Sequence, residues 1–210
     1  ESTIYQEEEI MKQFDYAKVK DPEYFRDGRL DAHSDHVYYA SEEEVWDKET
    51  SYRESLNGLW KFQYARNYES AIPGFEAEDY IYVPAHIQME GYDAPQYANV
   101  QYPWEGHEDI HPGEIPTHFN PTASYVKYFT VPEQMKGKRL FISFQGAESG
   151  LALWLNGKFV GYSEDSFTPS EFELTEYVKE GENKLAAQVY KWTASSWCED
   201  QDFYRFSGIY

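Results

Sequence analysis

Cysteine is almost missing from this chain of 210 residues: Cys198 stands alone. No internal disulfide can form, no disulfide framework is implied, and the redox compartment stays open. Long apolar runs are missing too, and no stretch approaches the ~20 residues that a membrane helix needs. Basic residues are scarce, 18 Lys and Arg against 38 Asp and Glu, for a formal net charge of -20. A phosphate backbone or an anionic membrane surface would be repelled, which excludes nucleic acid and membrane as partners. Ala-rich and Leu-rich helical blocks are few, and there is no glycine-rich phosphate loop, no Cys-x-x-Cys and no Gly-x-Ser-x-Gly nucleophile signal. The opening ESTIYQEEEIMKQ has neither the basic flank nor the apolar segment of a signal peptide, and no initiator Met. It predicts a processed or cut-down product.

Aromatic residues are abundant, 19% of the chain with 20 Tyr, 13 Phe and 6 Trp, which favours strands. The length suits one sizeable domain plus an appendage. Residues 1–50 read as the appendage, an acidic arm with EEE at 7–9 and 42–44 and few aliphatic residues, which either lies on a neighbouring surface or stays mobile. A short helix is expected around 7–16. From 51 to 210 strand signals dominate: LNGLWKFQY (56–64), YIYV (80–83), SYVKYFTV (124–131), RLFISFQ (139–145), GLALWL (150–155), KFVGYS (158–163), EFEL (171–174) and NKLAAQVYKW (183–192). Asn156-Gly157 is the preferred pair for a type I′ hairpin. Between the second and third of these runs lies an irregular passage, 86–122, with prolines at 95, 103, 112, 116 and 121. Loops that long inside a compact domain are usually functional. Many short strands with turns between them predict an all-β fold, a jelly-roll β-sandwich carrying an extended N-terminal arm. The last strand signal begins near Gly208 and is cut short, leaving a prospective open edge, so the natural protein is expected to continue.

Three places carry candidate chemistry. In CEDQDFYRFSGIY (198–210), Glu199, Asp200 and Asp202 run into Phe203, Tyr204 and Phe206. The acids could be paired carboxylates or oxygens for a hard cation; equally, alternation sends them to opposite faces, solvated or paired with Arg205. The cluster alone does not make a catalytic pair. EGYDAPQYANVQYPW (90–104) sets four aromatics beside Asp93, Gln96 and Asn99. Rings that stack on the C–H face of a sugar, next to amides and carboxylates that read its hydroxyls, suit a carbohydrate; a proline-pinned loop that covers the sandwich fits the pattern as well. His107 and His111 have i,i+4 spacing, but Gly106, Pro112 and Gly113 argue against the helix a zinc pair would need, and these histidines, like His33 and His36, read as surface residues.

SLNGLWKFQY (55–64), VPAHIQMEGYDAPQYANVQYP (83–103), WLNGKFVGYSEDSFTPSEFEL (154–174) and EDQDFYRFSGIY (199–210), in that order, closely resemble the amino-terminal sugar-binding domain of the large bacterial β-galactosidases, glycoside hydrolase family two. The likeness runs from about Pro22 to the end. It implies a jelly roll like other galactose-binding domains, followed in a complete enzyme by an immunoglobulin-like domain and a catalytic (β/α) barrel. Retaining hydrolysis needs two carboxyl groups roughly 5 Å apart. In the family these are barrel glutamates, so no catalytic residue is expected in this chain and the piece by itself should be inactive.

By motif, the resemblance assigns Asn99, with Val100 beside it, to the galactosyl hydroxyls. It assigns Asp202 to a sodium ion and the sugar's 6-hydroxyl. One carboxylate cannot complete a sodium shell, so weak or no sodium binding is expected of this chain alone. A structural magnesium site in some relatives would map to Asp21 and Glu164. Here the sequence departs from the pattern, with Ala194 where those relatives carry an aspartate and Lys18 in place of another acid. KDPEYFRDGRLDAHSDH (20–36) keeps the core of a segment that, in tetrameric relatives, crosses a subunit contact, so a homo-oligomer is among the expected assemblies. The implied partners are a β-galactoside substrate and the downstream domains. The other readings are a free-standing carbohydrate-binding module, or the equivalent piece of a β-glucuronidase or β-mannosidase; EDQD and YANVQYP favour the galactosidase.

Overall fold

GLALWL (150–155) and LAAQVY (185–190) are apolar at nearly every position, the pattern of strands covered on both faces. The computed structural model, which describes residues 14–71, 77–199 and 202–210, makes both of them strands of that kind. In chain order the strands are β1 (Arg26–Asp27), β2 (Gly58–Ala65), β3 (Asp79–Val83), β4 (Ala85–His86), β5 (Gln96–Ala98), β6 (Thr122–Thr130) and β7 (Phe141–Phe144). They continue as β8 (Ala147–Glu148), β9 (Gly150–Leu155), β10 (Lys158–Ser163), β11 (Ser170–Glu173), β12 (Glu182–Tyr190), β13 (Phe203–Arg205) and β14 (Gly208–Ile209). Seven form one antiparallel sheet in the order β1-β10-β9-β12-β6-β2-β3, while β7 pairs with β11, β14 lies between β4 and β8, and β5 pairs with β13.

Period-2 alternation sorts the side chains of the large sheet between two cores. Leu151, Leu153 and Leu155 of β9 and Leu185, Ala187 and Val189 of β12 meet Ile142 and Phe144 of β7, Phe172 of β11 and Ile209 of β14. These two layers enclose the main core and give the all-β sandwich that the strand pattern predicts. Ala152, Trp154, Ala186 and Tyr190 point the other way and pack with Phe14, Val19 and Ile115. Asn156 and Gly157, with φ of 51° and 83°, turn β9 into β10 as the hairpin signal requires.

The second core shows how residues 14–30 of the arm are held. Phe14 stacks on Phe159 at 5.3 Å and sits edge-on to Trp154 at 6.1 Å. Tyr16–Lys20 form one 3-10 turn capped by Asp15; the helix expected over 7–16 falls mostly outside the described residues. Farther on, β1 joins the edge of the sheet beside β10, the Glu164 amide donates to the Phe25 carbonyl at 3.0 Å, and Arg29 pairs with Asp165 at 3.0 Å. Gly161 makes this approach possible, because a Cβ there would fall on the Asp27 carbonyl oxygen and 2.7 Å from the Phe172 ring.

The proline-rich passage is irregular but well anchored. Glu108 accepts the backbone N–H groups of Thr117, His118 and Phe119 at 2.8–3.0 Å. Fully buried Asn120 donates to the Trp192 carbonyl at 2.9 Å and accepts the Trp192 amide at 2.8 Å. Side chains thus satisfy backbone groups that a ladder would otherwise satisfy.

Candidate functional site

The passage 86–122 contains one short strand, β5, and its partner is β13 from the far end of the chain. Phe203 faces Ala98, Tyr204 faces Tyr97 and Arg205 faces Gln96. One residue beyond the Phe203–Ala98 pair, the same register sets Asn99 opposite Asp202. Alternation then separates the two faces of the ladder. Tyr97, Asn99, Asp202 and Tyr204 share the solvent side, all exposed. Ala98 and Arg205, 5% and 2% exposed, share the buried side.

On the outer face the Tyr97 hydroxyl donates to Asp202 Oδ1. The Tyr97 pKa is raised, first by the bond to Asp202. Its ring lies 5.0 Å from that of Tyr204, the cross-strand neighbour. Val100, 82% exposed, follows on the same rim.

On the inner face the Arg205 guanidinium bonds Glu199 and lies 4.8 Å over the Phe203 ring. This contact ties Glu199 to β13. Glu199 is thus ion-paired with Arg205, while Asp200 lies outside the described residues. Burial pushes the Glu199 pKa up while Arg205 opposes the rise. Glu148 at the end of β8 is also buried, and its carboxyl is pushed up to about 8 by burial first and by the charge of Glu199 second. A third anchor joins the upstream loop to β12: Lys191 Nζ meets Asp93 Oδ2 at 2.5 Å, and Gln88 Nε2 donates to Asp93 Oδ2 and to Ser207 Oγ at 2.9 Å each. Gln96 Nε2 donates to the Pro103 carbonyl at 2.7 Å, bracing the turn after β5.

The residues assigned to magnesium have other partners. Asp21 is exposed and its Oδ1 accepts the Glu23 amide at 2.9 Å. Glu164 is buried; Oε1 accepts the Tyr162 hydroxyl at 2.8 Å and Oε2 the Ser195 amide at 3.1 Å. Among the described residues no group of three or more His, Cys, Asp or Glu side chains forms a metal-binding cluster. His107 sits in a turn, His111 lies 3.7 Å from Glu114, and His33 bonds Glu171 at 2.5 Å.

Asn99 and Asp202 are thus brought together from positions 103 residues apart in sequence, with Val100 alongside, while Asp21 and Glu164 belong elsewhere. The sequence did not single out Tyr97, Glu148, Lys191 or Asp93's buried pairing. The period-2 patterns YAN and DFYR were the available signal for Tyr97, because they put residues 97 and 99, and 202 and 204, on common faces.

Comparison with known proteins bears on this arrangement. A family model described as glycosyl hydrolases family 2, sugar binding domain, matches residues 53–210. A beta-galactosidase of Halalkalibacterium halodurans is 54% identical over 91% of this chain and 20% of its own length. One of Clostridium acetobutylicum is 50% identical over 91% of this chain and 22% of its own. A beta-galactosidase large subunit of Leuconostoc lactis is 44% identical over 91% of the chain and 34% of its own length. The chain therefore spans between a fifth and a third of these relatives. Among solved structures, a Bacteroides uniformis beta-glucuronidase has a similar fold, with a TM-score of 0.54 at 21% identity over 75% of this chain and 16% of that one.

Proposed function

The chain belongs to glycosyl hydrolase family 2 as its sugar-binding domain, and from that premise we propose that it forms one wall of the galactose subsite in a β-galactosidase that releases terminal β-linked galactose with retention. Sequence identities of 43–54% to beta-galactosidases over about nine-tenths of the chain support this substrate over a glucuronide. The observation that carries the reading is the Asn99–Asp202 pair, an amide and a carboxylate from distant segments fixed side by side on an exposed rim that aromatic rings border. An amide donates and accepts, a carboxylate accepts, and together they read sugar hydroxyls.

In this reading the chain binds and orients, while the acid/base and nucleophile pair belongs to a barrel domain of the same enzyme. Asp202 would give one hard oxygen to a sodium ion, with the remaining ligands supplied by other domains; when bound, sodium supplies positive charge beside the sugar's 6-hydroxyl. The fit is one of donor type, since a single carboxylate cannot fill the shell. An immunoglobulin-like domain and, in a homo-oligomer, a second copy of the chain complete the set of partners.

The test is Asp202→Ala in the complete protein that carries this domain. Loss of one hydrogen bond to a charged group predicts a fall of roughly 10- to 150-fold in kcat/KM for a β-galactoside, together with loss of sodium activation. Unchanged kinetics and sodium response would refute the assignment.

A further inference from the structure

We propose that Tyr97 is a positioning residue for sugar binding, its hydroxyl holding the Asp202 carboxylate beside Asn99 before any sugar arrives. The inference rests on the reading of Asn99 and Asp202 as galactose-binding groups and adds what holds the Asp202 carboxylate in place.

The need for such a tie follows from the ladder. β5 and β13 are three residues each and pair with one another outside the larger sheets. Asn99 and Asp202 lie one residue beyond the last paired positions and are exposed, so ladder hydrogen bonds do not fix their side chains. A phenol can donate one hydrogen bond, so Tyr97 can hold an acceptor in place. Its hydroxyl donates to Asp202 Oδ1. The ring is fixed in turn against Tyr204, 5.0 Å away at an interplanar angle of 37°. The Asp202 carboxylate is thereby ordered beside Asn99 ahead of binding, so a sugar does not have to order it.

The experiment compares Tyr97→Phe, Asp202→Ala and the parent sequence in the complete protein, with a nitrophenyl β-galactoside as probe. Phenylalanine keeps the ring on Tyr204 and removes only the hydroxyl. Groups that bind substrate and transition state alike affect KM and leave kcat nearly alone. Tyr97→Phe should therefore raise KM about tenfold, as expected for one lost hydrogen bond to a charged group, with kcat within about twofold of the parent and an unchanged melting temperature. If Asp202→Ala impairs hydrolysis while Tyr97→Phe keeps the parental KM, the positioning role is wrong and the site assignment stands. The positioning role is also wrong if Tyr97→Phe lowers kcat and melting temperature with KM unchanged. If Asp202→Ala behaves like the parent, the site assignment fails and the role of Tyr97 falls with it.

Discussion

Lys191 and Asp93 meet at 2.5 Å with side chains only 1% and 7% exposed, so a buried ion pair fastens the loop leading to Asn99 onto the end of β12. Taking two charges out of water is costly, and removing one partner leaves the other uncompensated. Lys191→Met should lower stability by about 3–5 kcal/mol in chemical denaturation. Adding Asp93→Leu to that variant should recover much of the loss, because an apolar pair of similar volume has no charge to bury. Equal stability of the single variant and the parent would show that the pair is not buried.

Glu148 makes stability depend on pH in an unusual direction. Its carboxyl is pushed up to about 8, by burial first and by neighbouring Glu199 second, while Arg205 and Lys191 work against the rise. An ordinary glutamate in the unfolded chain titrates near 4.5. Between these values the folded protein holds more protons than the unfolded one, so stability falls as pH increases, by up to ~1.4 kcal/mol per pH unit for one group. Denaturation midpoints from pH 5 to 8 should decline for the parent sequence and flatten in Glu148→Gln. Parallel curves for the two would contradict the burial of this carboxyl.

Gly161 is the contact point between β10 and the arm. A methyl group there would strike the Asp27 carbonyl and the Phe172 ring, neither of which is the free end of a flexible chain. Gly161→Ala should cost about 3 kcal/mol, the upper end for overpacking. Gly181→Ala meets open space and carries only the strain of a φ of +81°, about 1 kcal/mol. Thermal melts of the two variants should differ clearly, and equal melting temperatures would count against β1 pairing with β10.

Phe14 tests whether the arm is part of the fold. It is 4% exposed against Phe159, Tyr162 and Tyr190. Phe14→Ala should therefore remove about 3–5 kcal/mol of stability. A loss under about 1 kcal/mol, the range of a surface change, would mean that the segment does not seal this face of the sheet.

Much of the sandwich is legible from residues alone. Runs such as SYVKYFTV and RLFISFQ are long enough for alternation to register, and Asn156-Gly157 marks its hairpin. The strands that matter most for the site are not legible, because β4, β5, β8 and β13 have two or three residues each, too few for a period. They exist because tertiary partners satisfy their backbone groups, as when β14 fills the space between β4 and β8. Asn99 and Asp202 enter through family resemblance; the juxtaposition of position 99 with 202 depends on a pairing between segments a hundred residues apart. The burial of Glu148 and Lys191 is hidden for a similar reason, since a charged residue in a strand reads as solvated until its partner is known.

A crystal structure of the complete protein with galactose bound measures the central claim directly. The account predicts the sugar ring on the rim formed by Asn99, Val100 and Asp202, with its hydroxyl oxygens about 2.6–3.2 Å from the Asn99 amide and the Asp202 carboxylate. A ring bound in the active site with neither side chain within hydrogen-bonding reach would contradict it.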